Sequence, residues 1–374
     1  MNLRHRYRSL DSLRGVAATI VVFFHVNWNN HVTSLHLFRQ AFLFVDLFFI
    51  LSGFIIVTVY GRRIRTSSDV IRFMTRRFFR LYPLHLATLL FLVALETSKY
   101  FSASYGLSTS SDIFAFQRTI RAIFVNLAFL QGAGVLDTLS WNTPSWSISC
   151  EMIAYATFSL IATTGLVMSR LFWLMIIPIV AGYAYLIIDR GTLNVTFDVG
   201  VIRCLSGFFL GALIARVPPA AFPNLLAAIS IFATALIISC LSGSAEIVVI
   251  PAFAVLVYAL INDESTIANI LLTKPLAFLG EISFSIYLVH YLVISVIGTI
   301  LKVALHAKPI SLIGWEIPMF DVSPVLGDFL VAITLACTLV IAKWAYERIE
   351  VPGRKLGYKL TGDIQGEIKI GTLC

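Results

Sequence analysis

A short stretch near the start of the chain combines an acid, an arginine and a histidine within an apolar run. Residues 10–26 read L-D-S-L-R-G-V-A-A-T-I-V-V-F-F-H-V. Arg14 and His25 are close to three helical turns apart, so a helix places both on one face, about 16 Å from each other. Asp11, one turn before Arg14, falls near the same face. An imidazole can act as a general base or a nucleophile, and a guanidinium binds anions.

Each of these residues also has a structural explanation. Arg14 suits the boundary of a membrane helix, where a long side chain carries its charge to the headgroups. His25 suits a hydrogen bond between two membrane helices. The shared face of Arg14 and His25 favours a functional role for the pair.

A second apolar stretch, V-D-L-F-F-I-L-S-G-F, carries an acid and a glycine on one helical face. The acid is Asp46, and Gly53 on the same face, next to Ser52, would allow close approach of a helix or a ligand. Asp46 is either a site residue or an interfacial residue paired with Arg39 or a backbone donor.

Arginines recur in R-F-M-T-R-R-F-F-R-L-Y-P-L-H, residues 72–85. Arg72, Arg76 and Arg80 are spaced by four residues, with Arg77 beside them, which predicts a basic helical stripe. The planar guanidinium fork suits phosphate. The alternative is a patch that follows the positive-inside rule or contacts anionic lipid headgroups.

Two later apolar segments carry polar stripes. In N-T-P-S-W-S-I-S-C-E-M-I-A-Y, Trp146 precedes a stripe of Ser147, Glu151 and Tyr155 at helical spacing. A buried glutamate needs a partner, and His25 is the natural candidate because a carboxylate can fix the tautomer of an imidazole.

The second of these segments is G-E-I-S-F-S-I-Y-L-V-H. Ser283, Tyr287 and His290 share one helical face there. Hydrogen bonding between helices is the favoured interpretation of this stripe.

The composition requires that most of the chain lies in a bilayer. Of its 374 residues, 58% are hydrophobic and 13% are charged, and the mean hydropathy is +0.88. Soluble domains are typically about 45–50% apolar and about 25% charged. The formal net charge of +8 reflects the positive-inside rule rather than nucleic-acid binding.

The fold class predicted is an all-α, polytopic integral membrane protein with about ten transmembrane helices and both termini cytoplasmic, because three basic clusters then fall on one side. The apolar segment 119–133 is too short to span comfortably. The domain prediction is a membrane domain over 1–352 and a short polar cytoplasmic tail over 353–374, expected to be poorly ordered. The predicted spans are 11–29, 40–60, 79–97, 145–166, 171–188, 199–216, 223–242, 246–262, 275–300 and 325–345.

The ordered motifs between about residues 8 and 352 resemble those of the membrane-bound acyltransferase-3 family. The first-helix stretch, V-D-L-F-F-I-L-S-G-F-I, the basic stretch, P-S-W-S-I-S-C-E-M-I-A-Y and L-G-E-I-S-F-S-I-Y-L-V-H are each similar to a family motif, in order. Cys150 and Phe284 are mild departures from it. The resemblance implies that His25 and Arg14 are essential for transfer, that the donor is an acyl-CoA, usually acetyl-CoA, and that the acceptor is a sugar hydroxyl.

On this basis the prediction is an O-acyltransferase with three groups of site residues. The catalytic group is His25, Glu151 and Arg14, with Glu151 or Asp46 orienting His25. The donor-binding group is Arg14, Arg76, Arg77 and Arg80. Supporting residues are Asp11, Asp46, Ser52, Gly53, Trp146, Ser147, Tyr155, Tyr287 and His290.

The expected partners are acetyl-CoA or another acyl-CoA, a carbohydrate or lipid-linked glycan acceptor and the bilayer. No metal is expected, since the cysteines form no C-x-x-C pair. No nucleic acid is expected either, since the positive-inside rule explains the net charge. A homodimer is left open. The expected location is a bacterial inner membrane. Direct transfer and an acyl-histidine intermediate both remain possible at this point.

Two other functions compete with this prediction. One is a transporter or flippase that uses His25, Asp46 and Glu151 as a proton relay. The other is a sensor or binding protein that keeps the fold without the chemistry. The arginine-rich stretch counts against transport, and intact Arg14, His25 and Glu151 count against a sensor.

Overall fold

The structure is a computed structural model that describes residues 7–104, 118–261, 265–303, 309–310 and 319–362. Within these residues the chain is almost entirely helical, as predicted. Two strands of two residues each, β1 (Pro309–Ile310) and β2 (Met319–Phe320), pair antiparallel. The α-helices α1 to α15 are, in chain order, Arg8–His25, His36–Arg39, Phe44–Tyr60, Ser67–Ser104, Ile120–Leu127, Trp146–Thr163, Ile176–Tyr185, Gly200–Ile214, Pro223–Cys240, Val249–Ala259, Thr266–Leu271, Lys274–Glu281, Ser283–Val303, Pro324–Ala345 and Val351–Leu360.

Every predicted membrane segment overlaps at least one of these helices, and segment 119–133 contains the short α5. Segment 275–300, predicted as one span, covers two helices, α12 and α13. Two apolar helical stretches, Gly200–Ile214 and Gly243–Ala259, are shorter than the roughly 20 residues that a membrane-spanning helix needs. The protein is therefore an α-helical, multi-pass membrane protein, while the count of ten and the side of the termini stay predictions. In the described part of the chain, six helical stretches are long and apolar enough to cross a membrane: Ala41–Tyr60, Ser67–Phe101, Arg170–Arg190, Pro223–Cys240, Ser283–Lys302 and Pro324–Leu360.

Helices α3 and α8 pack backbone to backbone through glycines. A Cβ atom at Gly53 would collide with the backbone of Phe208, and one at Gly211 would collide with the backbone of Ile50. Small residues permit such close approach in a bilayer, where van der Waals packing drives helix association. The close neighbour that Gly53 admits is therefore a helix.

Helices α1 and α13 run side by side in the same direction. Near their starts Arg14 Nε donates to Ser283 Oγ at 3.0 Å, and further along both chains His25 contacts His290. Two membrane helices run parallel only when an odd number of other spans lies between them in the chain. The helices α1 and α13 lie in the first and ninth predicted spans, which meets this condition.

The predicted domain boundary at residue 352 falls inside α15. Gly353 and Gly357 of this helix pack closely against Phe79 and Pro83 of α4. The expectation of a poorly ordered tail is therefore wrong up to residue 362, because these glycines let the segment dock on α4. Residues 363–374 of that predicted tail lie outside the described residues.

Candidate active site

A basic cavity of about 620 Å³ is lined by residues of α1, α4, α12, α13 and α15, and we call it the mouth. Its charged lining has five cations and three carboxylates. Asp11 is bonded to Arg14, and Glu281 and Glu350 accept hydrogen bonds from Tyr346 and Ser285. The cations outnumber the acids, so the mouth suits a polyanion. The five cations are Arg8, Arg14, Arg80, Lys274 and Arg354.

A second, narrower cavity of about 80 Å³ adjoins the mouth, and we call it the inner cavity. Arg14, Arg80, Ser283 and Phe284 line both cavities, so the two meet there. Most of the inner wall is apolar and comes from α1, α3, α4, α6 and α13. An extended ligand with an anionic head in the mouth could place an uncharged arm in the inner cavity.

Arg14 lies at the junction of the two cavities. Its Nη2 donates to Asp11 Oδ1 at 2.9 Å and its Nε donates to Ser283 Oγ at 3.0 Å. These two bonds fix the plane of the guanidinium, while Nη1 makes no hydrogen bond to a described residue. Asp11 thus acts as support for Arg14, and Arg14 can donate to a ligand at the junction.

The three arginines predicted on α4 to bind the donor do not share one environment. Arg80 lines both cavities, and Arg77 lines the inner cavity, where it donates to Tyr60 and lies over the rings of Tyr60 and Tyr155. Arg76 lines neither cavity. Its Nε donates to Thr361 Oγ1 at 2.8 Å and its guanidinium lies over the Tyr358 ring. The structure therefore places Arg76 against α15 and not in the donor site, because Gly353 and Gly357 let α15 pack on this part of α4.

Glu151 lies in the wall of the inner cavity within a cluster of hydroxyl groups. Its Oε1 accepts from Ser52 Oγ at 2.5 Å and from Tyr155 OH at 2.6 Å. The expected contact between Glu151 and His25 is absent from the described residues. The prediction was wrong here because hydroxyl donors on α3 and on its own helix satisfy the carboxylate.

The partner of His25 is another histidine. His25 Nδ1 lies 3.2 Å from His290 Nε2, and the two ring centroids are 4.9 Å apart. His25 is partly exposed, whereas His290 is completely buried. The structure thus pairs one predicted catalytic residue with one predicted supporting residue.

Tyr287 separates the inner cavity from this histidine pair. Its ring lines the cavity and lies 6.1 Å from the His290 ring, and its hydroxyl bonds to Ser147 Oγ and to the carbonyl of Pro144. The last cavity-lining residue on α1 is Ala18, seven residues before His25. This separation corresponds to about 10 Å of helix.

Comparison with known proteins identifies the family. The family model of an acyltransferase domain, that of the acyltransferase-3 family, matches residues 7–345. The chain belongs to the acyltransferase-3 family. No solved structure matches it.

Three relatives illustrate the match. Acyltransferase MdmB of Streptomyces mycarofaciens is 28% identical over 77% of this chain and 79% of that protein. Exopolysaccharide production protein ExoZ of Rhizobium meliloti (strain 1021) is 27% identical over 68% of this chain and 77% of its own length. Protein 2 in the picA locus of Rhizobium radiobacter is 31% identical over 41% of this chain and 81% of its own length. The predicted enzyme class, an O-acyltransferase, is therefore confirmed.

Sequence reasoning missed the residue that holds Asp46. Arg203 of α8 lies beside Asp46 with an Nη2–Oδ2 distance of 2.6 Å, and both side chains are fully buried. Neither Arg39 nor His25 is hydrogen-bonded to Asp46. The signal was an arginine inside the predicted span 199–216.

Three cations of the mouth were also missed as donor-binding residues. Arg8, Lys274 and Arg354 were absent from the predicted group, yet all three line the mouth. Trp146, predicted as support, packs its ring against the Arg203 guanidinium at 5.7 Å.

The proposed proton relay of the transporter alternative has no continuous path in the described residues. Asp46 pairs with Arg203, Glu151 bonds to Ser52 and Tyr155, and His25 contacts His290. A relay needs hydrogen-bonded neighbours, so this arrangement does not favour transport.

Proposed function

We propose that this membrane enzyme transfers an acyl group, as acetyl, from cytoplasmic acyl-CoA to a hydroxyl of a glycan acceptor. The observation that carries the proposal is the continuity of a basic mouth with a narrow, mostly apolar cavity directed along α1 toward His25. Acyl-CoA has the matching shape, with a polyanionic nucleotide and a long, uncharged thioester arm.

The nucleotide phosphates would lie in the mouth. Arg8, Lys274 and Arg354 surround this space, and Arg14 and Arg80 occupy its inner end. Arginine forks can bind phosphate in a bidentate manner and lysine can bind it as a point charge. The partly exposed position of Arg354 and the exposed positions of Arg8 and Lys274 suit a ligand that enters from water.

The arm would extend through the inner cavity beside Ala18 and Glu151. The hydroxyl-bonded Glu151 leaves Oε2 without a hydrogen bond to a described residue, so it can accept from an amide of the arm. To reach His25, the thioester must then pass Tyr287, and a shift of that side chain opens the last 10 Å or so of the path.

The reaction proposed at His25 is general base catalysis. His25 takes the proton of the acceptor hydroxyl as its oxygen attacks the thioester carbonyl carbon. The C–S bond breaks, the new C–O ester bond remains, and the leaving thiolate takes the proton from the imidazolium. The acceptor is proposed to be a bacterial envelope or exported glycan, by analogy with the exopolysaccharide production named for ExoZ.

The proposal is tested with purified protein in nanodiscs. Binding of acetyl-CoA is measured by calorimetry, and thiol release is measured after addition of base-deacetylated exopolysaccharide. The wild type should bind the donor, and His25→Ala should bind it equally well but release no thiol above background. Absence of donor binding by folded protein, or unchanged turnover in His25→Ala, would overturn the proposal.

A further inference from the structure

We propose that His290 is the positioning residue of His25: it accepts a hydrogen bond from His25 Nδ1–H and thereby keeps Nε2 of His25 free of its proton. The role of this hydrogen bond in catalysis rests on the proposed function, in which His25 is the general base. It assigns to a buried histidine of α13 a role that differs from hydrogen bonding between helices alone.

The proton of His290 is located by a backbone carbonyl. His290 Nδ1 lies 3.1 Å from the carbonyl oxygen of Ile286, one turn earlier in α13. A carbonyl oxygen can only accept, so Nδ1 of His290 must carry a proton. In a neutral imidazole the other nitrogen then has a lone pair. His290 Nε2 is therefore an acceptor, and it faces His25.

The proton of His25 is located by the same logic from the other side. His25 Nδ1 lies 3.2 Å from the carbonyl oxygen of Val21 and 3.2 Å from His290 Nε2. Both neighbours are acceptors, so one N–H at Nδ1 can be shared between them in a three-centre bond. The two carbonyls thus impose one consistent arrangement, in which both histidines carry their proton on Nδ1.

The opposite arrangement is unfavourable. If His290 were an imidazolium, its Nε2–H would force His25 Nδ1 to act as acceptor and would turn a lone pair toward the Val21 carbonyl. A buried cation also needs a counter-charge. None of the described carboxylates hydrogen-bonds to either ring; Asp46 pairs with Arg203, and Glu151 accepts from the hydroxyls of Ser52 and Tyr155.

The remaining nitrogen of His25 is positioned to react. Nε2 makes no hydrogen bond to a described residue, and the His25 side chain is partly exposed. Further contacts limit the rotation of the ring, since it lies edge-on to Phe24 and Tyr291 at centroid distances of 5.0 Å and 6.0 Å. A general base requires this combination of a fixed ring and an accessible lone pair.

The decisive measurement is the tautomer of His25 in wild-type protein. Nitrogen-15 NMR of histidine-labelled protein in nanodiscs distinguishes protonated from unprotonated ring nitrogens, and the loss of one spin system in His25→Gln assigns the signals. The chain has seven histidines, which keeps the assignment tractable. We expect a protonated Nδ1 and an unprotonated Nε2. A proton on Nε2 of His25 would overturn the inference without any variant of His290.

Two substitutions separate positioning from packing. His290→Gln places an amide oxygen near the former Nε2 and can still accept from His25, whereas His290→Leu fills the space without an acceptor. We expect His290→Leu to mix the two tautomers of His25 and to lower kcat at least about tenfold with little change in donor KM. His290→Gln should restore most of both. Equal effects of Leu and Gln on the tautomer would contradict the inference.

The matched control is His36→Leu. His36 Nδ1 also contacts a backbone carbonyl of another helix, that of Ile238, so this variant loses a comparable hydrogen bond in which neither His25 nor His290 takes part. It should leave the His25 tautomer unchanged. The failure of the proposed function is recognised separately: unchanged turnover in His25→Ala removes the catalytic role of His25, while the NMR result still decides whether His290 sets its tautomer.

Discussion

The guanidinium of Arg203 and the carboxylate of Asp46 form a fully buried ion pair that joins α8 to α3. Arg203 Nε lies 3.1 Å from both carboxylate oxygens, and Nη2 lies 2.6 Å from Oδ2. Its remaining donors reach the carbonyl oxygens of Phe42 and Val195. Since all three guanidinium nitrogens donate to groups of the fold and both side chains are fully buried, this pair is an architectural element and not a substrate site.

Breaking this pair should be strongly destabilising. Asp46→Ala leaves the Arg203 cation without its counter-charge, which typically costs about 3–5 kcal/mol of the free energy of unfolding. Replacing both residues, as Asp46→Leu with Arg203→Met, should recover much of that loss because neither charge remains buried. Thermal unfolding of the single and double variants in one detergent measures the coupling. A stable, active Asp46→Ala protein would contradict this role.

The mouth should determine the affinity for the donor. Lys274→Gln and Arg354→Gln each remove one cation from its lining, and we expect each to raise the KM for acetyl-CoA about threefold to tenfold with kcat little changed, as partly solvated charge pairs are worth about 1 kcal/mol. The effect should shrink as salt rises.

Arg72→Gln is the control for this experiment. Arg72 is exposed on α4 and lines neither cavity, yet its loss changes the net charge by the same amount. Its donor KM should stay within about twofold of wild type. If Arg72→Gln raised KM as much as the two mouth variants, the effect would be one of overall charge and not of a donor site.

Glu151 should act through the cavity wall and not through His25. Glu151→Gln keeps an acceptor for the hydroxyls of Ser52 and Tyr155, so its melting temperature should stay near that of wild type. Glu151→Leu leaves both hydroxyls without their acceptor, which costs about 1–3 kcal/mol. The tautomer of His25 should be the same in both variants when read by nitrogen-15 NMR. A changed tautomer in Glu151→Gln would restore the original expectation that Glu151 orients His25.

The part of the site that the sequence predicted is the part that depends on spacing along a single helix. Helical periodicity correctly placed Arg14 and His25 on one face, since both lie on one uninterrupted helix, and the polar stripe of Tyr287 and His290 on another. Hydropathy located the long apolar helices but not the short α2 and α11 or the polar α15.

Partners across helices could not be predicted in this way. Glu151, Asp46 and His25 each needed a partner, but which helix supplies it depends on packing through residues such as Gly53 and Gly211. Spacing along one helix also could not tell that Arg76 faces α15 while Arg80 faces the mouth, because α15 was expected to be disordered.

The inner cavity should hold the thioester arm of the donor, and Ala18 offers a direct test. Ala18 is buried, lines this cavity and lies on α1 between Arg14 and His25. Ala18→Leu would fill the cavity with a branched side chain at an overpacking cost of about 1–3 kcal/mol. We expect it to weaken acetyl-CoA binding at least about tenfold while leaving the binding of adenosine 3′,5′-bisphosphate, which needs only the mouth, within about twofold. Ala18→Ser, which adds a single oxygen, is the matched control and should bind both ligands nearly normally. Equal weakening of both ligands in Ala18→Leu would mean that the substitution distorts the mouth, and equal binding of both would place the arm outside the inner cavity.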